Sequence, residues 1–139
     1  MLLDPKETRP DRRRSLREQL SEQLPERGRF VVSTDNAEDL RGYRNAGFGT
    51  WRTVGDQRQL AGILTGASDV HQGLSIQQGL VTTATAGRLL DVTPLLVAWT
   101  VDTLDRAAQL ARLGVAGVTS NNPEVLRWVA DQPSRGRHP

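Results

Sequence analysis

The segment Leu95-Leu-Val-Ala-Trp-Thr-Val-Asp102 constrains this chain more than any other. It is almost continuously apolar up to its polar end, as a strand buried on both faces of a parallel sheet must be. Leu104, Ala107, Ala108 and Ala111 then recur at helical spacing, and Gly114 stands where that helix should end. Val115 to Thr119 reads as a second short strand. Asn122 and Pro123 suit the cap and first position of a further helix, with Val125, Leu126 and Val129 as its buried face. Strand, helix, strand, helix, with polar residues at both strand exits, is the pattern of the last turns of a parallel α/β barrel. Active sites of such barrels sit at those exits.

The upstream chain alternates in the same way, which argues for crossover helices on a parallel sheet. Met1-Leu-Leu-Asp4 is the end of a strand stopped by Pro5. A narrow amphipathic helix runs from Asp11 to Leu24 on Leu16, Leu20 and Leu24, closed by Pro25 and Gly28. Strands are expected at 29–33 and 48–54, and helices at 36–46 (Leu40 and Tyr43 inward) and 56–64 (Leu60, Ile63 and Leu64 on one face). Residues 68–74 form a weaker strand pattern, and 77–90 a helix pattern interrupted by Gly79 and Gly87. The expected fold is therefore α/β, a parallel (β/α) TIM-barrel-like sheet of about six units. A complete eight-unit barrel takes about 250 residues, against 139 here, so the barrel is expected to be incomplete. Residues 1–132 are read as one domain. The tail, 133–139, has nothing to bury and is expected to be disordered.

Composition narrows the function classes. Formal net charge is only +2. The one basic cluster, Arg12-Arg13-Arg14 with Arg17, has no aromatic side chains interleaved, so no nucleic-acid partner is expected. The chain has no cysteine, hence no disulfide framework, thiolate metal site or thiol nucleophile. No apolar run approaches the roughly 18 residues of a membrane span, and residues 1–20 are too polar for a signal peptide. A cytoplasmic location is the default expectation. His71 and His138 are the two histidines, one on the weakest strand and one in the tail, which leaves no histidine pair for acid–base work.

Few residues stand out chemically. Asp4 and Lys6 lie two apart at a strand's end and so point the same way; they could hold a divalent cation and a phosphate oxygen side by side, or simply belong to a loop. Trp99, followed by Thr100 and Asp102, suits core packing or a substrate platform about equally. Asn121 and Asn122 read as turn and cap residues.

Trp99-Thr-Val-Asp102 and, after a helix, Leu113-Gly-Val-Ala-Gly-Val-Thr-Ser-Asn-Asn-Pro123 resemble the C-terminal end of glycerophosphodiester phosphodiesterases. That family ends in a Trp-Thr-Val-Asn/Asp strand and a Leu-Gly-Val-Asp-Gly-Ile-x-Thr-Asp/Asn-x-Pro strand at similar separation. Phe30-Val-Val-Ser33 resembles its strand ending in serine, and Leu2-Leu-Asp-Pro-Lys6 its Leu-Glu-x-Lys strand, with Asp4 in place of glutamate. Ala116 stands where the family has an aspartate. Sphingomyelinase D-type phospholipases share these features in part.

The resemblance implies that the chain corresponds to strands three to eight of the family's barrel. It assigns Asp4 as a ligand of Mg²⁺ or Ca²⁺, Lys6 as a cation near the phosphodiester, and Trp99 to the substrate pocket. No catalytic residue is assigned: the family's His-Arg-Gly opening, its further metal ligands and its His-Asp segment are absent from this sequence. Acid–base assistance is worth roughly 10²–10⁴-fold, so the chain is expected to behave as an N-terminally truncated phosphodiesterase with little activity and weak or absent metal binding. The alternative is a non-catalytic phosphate-ligand-binding or assembly module derived from the same barrel. Either way, a sheet of six strands leaves two edges, and oligomerisation or poor solubility is expected.

Overall fold

The computed structural model describes residues 2–3, 9–66 and 72–133. In chain order the elements are β1 (Leu2–Leu3), α1 (Pro10–Gln23), β2 (Val31–Thr34), α2 (Ala37–Asn45), β3 (Gly49–Val54), α3 (Gln57–Leu64), β4 (Gly73–Gln77), α4 (Ala86–Val92), β5 (Leu96–Trp99), α5 (Leu104–Arg112), β6 (Gly117–Val118) and α6 (Pro123–Ala130). Single 3₁₀ turns precede β2 and follow β4. The strands form one six-stranded sheet in sequence order, every pair parallel. Unbroken sequence order with a helix at each crossover curls the sheet as in a (β/α) barrel, with β1 and β6 as its two edges.

Alternation along the strands divides the sheet into two chemically different faces. Val54, Leu74, Ile76, Leu96 and Ala98 point to the helices and are fully buried there with Leu60 and Ile63 of α3, Leu89 of α4, Ala107 and Leu110 of α5, and Val125 of α6. A smaller cluster, Val32, Tyr43 and Phe48, holds the β2–α2 end, with Leu20 of α1 and Leu24 just after it laid against the cluster. The Tyr43 and Phe48 rings meet edge to face at 5.4 Å. The opposite, concave face carries Ser33, Thr53, Ser75 and Trp99. Gly73, two residues before Ser75, shares this face, and a side chain would not fit there: a Cβ would lie 2.9 Å from the Leu95 carbonyl oxygen and 3.2 Å from the Trp51 ring.

Helix ends follow the sequence signals closely. Asn36, Asp56, Thr103 and Asn122 each cap a helix through the side chain, and Gly114, at φ 99°, turns the chain out of α5. Other expectations need correction. The fourth strand is Gly73–Gln77, three residues further on than expected at its end, and residues 68–71 of the expected 68–74 lie outside the described residues. The helix expected over 77–90 is one 3₁₀ turn, a loop and then α4; Thr82 and Thr85 bond each other's backbone and side chains there and hold a turn instead of a helix. Leu126 is 47% exposed and Leu104 41%; Trp128 and Val129 join Val125 on the packed side of α6. No residue of α1 is buried, so its leucine stripe only rests on the smaller cluster. The tail, 134–139, lies outside the described residues.

Candidate functional site

A cavity of about 280 Å³ opens on the concave face, lined by Leu2, Ser33, Thr53, Ser75, Trp99, Thr100 and Thr119. These residues come from five strands and the turns just beyond them, brought together because each inward position lies opposite a core residue one step away. Ser33 Oγ and Thr53 Oγ1 are 2.6 Å apart and bond each other. Ser33 and Ser75 are buried, Trp99 is half-buried, and Thr100 and Thr119 are exposed at the mouth. The described lining is hydroxyl-rich and uncharged. A second cavity of about 280 Å³ sits between α5, β6 and α6, lined by alanines, valines and Trp128. It lies on the helix side, away from the strand exits, and offers few polar groups for chemistry.

The rim of the concave cavity is tied down by three side-chain networks. After β3, Gln59 accepts from the Gly55 backbone N–H at 2.7 Å and donates to Asp35 at 3.0 Å, joining the β2 and β3 exits. A Cβ at Gly55 would sit 3.8 Å from the Trp99 ring, so this turn borders the indole. After β4, the Arg106 guanidinium of α5 donates to Gln78 Oε1 (2.6 Å), to the Gln78 carbonyl and to the Val81 carbonyl (2.8 Å). After β5, the Asp102 carboxylate accepts from the Asn121 backbone N–H (2.9 Å) and the Ser120 hydroxyl (3.1 Å), while Asn122 Nδ2 donates to the Asp102 carbonyl (3.0 Å). Asn121 and Asn122 are turn and cap residues, as their sequence suggests.

Of the residues singled out from sequence, Trp99 lines the cavity, joined to Thr100 by a cis peptide bond. Asp4, Lys6 and His71 lie outside the described residues. Among the described residues, no three histidine, cysteine, aspartate or glutamate side chains come together as a cation would need, so metal ligation stays an expectation of the resemblance. Sequence reasoning missed Thr53 and Ser75. The available signal was confined to Leu74-Ser-Ile76, where a polar residue stands between two apolar ones. No described helix is long and apolar enough to cross a membrane.

Six parallel strands with crossover helices, and a cavity among their inward residues, define the chain as a (β/α)-barrel-type protein. No protein-family model and no curated protein matches its sequence. Among solved structures it is similar to one described as "Putative glycerophosphoryl diester phosphodiesterase" from Silicibacter pomeroyi DSS-3, with a TM-score of 0.68 over 92% of this chain and 15% identity. The likeness is one of fold, and the chain spans about half of that structure, 49% of its length.

Proposed function

We propose that this chain forms the substrate-side wall of a glycerophosphodiester phosphodiesterase-type barrel. The observation that supports this most is the cavity whose described lining is rich in hydroxyls, with Trp99 at its side, placed at the strand exits where such barrels bind substrate. The fold likeness and the Trp99 to Asp102 and Leu113 to Pro123 motifs agree with it. In this reading Trp99 packs on the alcohol part of the diester, Lys6 pairs with its phosphate, and Asp4 is one carboxylate of the metal site. The acid–base histidines and remaining metal ligands belong to two further βα units that complete the ring between β6 and β1. Those units supply proton transfer; this chain's residues bind, orient and exclude water.

Hydrolysis of glycerophosphocholine with added Mg²⁺ or Ca²⁺ tests the reading. The 139-residue chain alone should turn over no faster than background. Adding a two-unit βα fragment carrying the paired histidines of a phosphodiesterase barrel should restore turnover. Fast hydrolysis by the chain alone, or none after complementation in a complex shown to form, would overturn it.

A further inference from the structure

The arginine cluster of α1 is used by neither the fold nor the cavity. Arg12-Arg13-Arg14 runs directly into Ser15 and Leu16, and no other serine or threonine of the chain follows three arginines. Helical spacing puts Arg12, Ser15 and Gln19 on one strip of α1, where with Leu16 they line an open cleft of about 350 Å³. Arg12, Arg14 and Ser15 are exposed. Arg13 and Arg17 lie on the other side and face the buried Asp39, at 3.0 and 4.0 Å. Ser21, the second serine of the helix, is engaged with the helix itself, donating to the Arg17 carbonyl at 2.8 Å. Ser15 therefore presents its hydroxyl outwards, beside guanidinium groups.

Phosphoryl transfer to such a serine needs its hydroxyl in line with a γ-phosphate, inside another enzyme's cleft, so the segment must be able to leave its helix. The first helix can open at low cost. None of its residues is buried and its first turn has no side-chain cap, which leaves the Asp39 contacts as its main restraint. Three positive charges before the hydroxyl and an apolar residue after it describe the partner: carboxylates for the guanidinium groups and an apolar pocket for Leu16. We propose that Ser15 is a phosphorylation site for an arginine-directed serine kinase, and that Asp39 limits access to it by holding Arg13 and Arg17. Ser15 Oγ attacks the γ-phosphorus of a nucleoside triphosphate and the β–γ bridging P–O bond breaks. The hydroxyl proton passes to the kinase's aspartate and the nucleoside diphosphate leaves. The new group brings about −1.5 to −2 charges beside Arg12 and Arg14, so this face of α1 turns from cationic to about neutral. Nothing in this inference depends on the wall reading.

The test is incubation of the full chain with ATP, Mg²⁺ and the catalytic subunit of cyclic-AMP-dependent protein kinase, which selects arginines shortly before serine. Mass spectrometry locates and counts the phosphate. One phosphate should enter, at Ser15, and Ser15→Ala should take up none. Arg12→Ala, on the exposed face, should slow incorporation by about tenfold without lowering the melting temperature. Asp39→Asn and Arg17→Gln loosen the same restraint from its two sides, and each should accelerate incorporation several-fold. No phosphate on the wild type, phosphate at a different residue, or a rate indifferent to Arg12→Ala would overturn the site. Equal rates in the wild type and both loosened variants would overturn the role given to Asp39.

Discussion

The Asp102 carboxylate accepts the backbone N–H of Asn121 at 2.9 Å, so one exposed side chain ties the exit of β5 to the exit of β6. The same carboxylate takes the Ser120 hydroxyl at 3.1 Å. Asp102→Ala should lower stability by about 1 kcal/mol, seen as a melting point a few degrees lower. Asp102→Asn should lose less, because its carbonyl oxygen can still accept from Asn121. Equal losses in the two variants would show that the bond to Asn121 is not what matters.

Gly73 is set by close approach on the concave face. Its absent side chain would meet the Leu95 carbonyl oxygen at 2.9 Å, a backbone atom that cannot swing aside. Gly73→Ala should destabilise by roughly 1–3 kcal/mol and alter the Trp51 fluorescence, measured by urea unfolding and emission spectra. Gly87→Ala is the control, since a Cβ there meets nothing within 4 Å.

The first helix is held by charge more than by burial. Arg13 Nε lies 3.0 Å from Asp39, and Arg17 4.0 Å from its other oxygen, with Asp39 buried. Asp39→Ala should cost about 2 kcal/mol and raise hydrogen exchange across α1 well above that of α5. Uniform loss of protection over the whole chain would contradict a local role.

Tyr43 gives the alkaline limit its sign. Its pKa is raised, first by burial and then by the nearby Asp39 carboxylate, with Arg17 opposing. The folded chain thus keeps the proton where the unfolded chain, near the ordinary value of about 10, has lost it. Stability is fully present below that value and falls as pH rises towards the folded pKa. The urea midpoint of the wild type should drop relative to Tyr43→Phe between about pH 9 and pH 11. A gap between the two that stays constant would rule this out.

Two sheet edges predict association. Among the described residues β1 and β6 each pair on one side only, and Leu2 of β1 is exposed. Sedimentation velocity should show weight-average mass rising with concentration, and the complementing βα fragment should suppress that rise. A monodisperse, cooperatively melting monomer at all concentrations would refute it.

The sequence was clearest where local signals and tertiary packing agree. Asn36, Asp56, Asn122 and Gly114 act through their own neighbouring backbone, so their roles can be read from a few residues. The region 73–90 was misread because its determinants are distant: β4 is a strand through pairing with β3 and β5, and the following turn is fixed by Arg106, 28 residues from Gln78. The cavity was only partly visible. Trp99 stood out by type, whereas Ser75 becomes a candidate only once the sheet shows which way it faces.

The division of the strands has an evolutionary consequence. Val54, Leu74, Ile76, Leu96 and Ala98 hold the sheet to its helices, while Thr53, Ser75 and Trp99, one step away on the same strands, face the cavity. A substitution at a cavity position therefore leaves the helix-side packing untouched, and one at a core position leaves the cavity chemistry unchanged. Selection can retune what this surface recognises one strand at a time, with the scaffold as a fixed background.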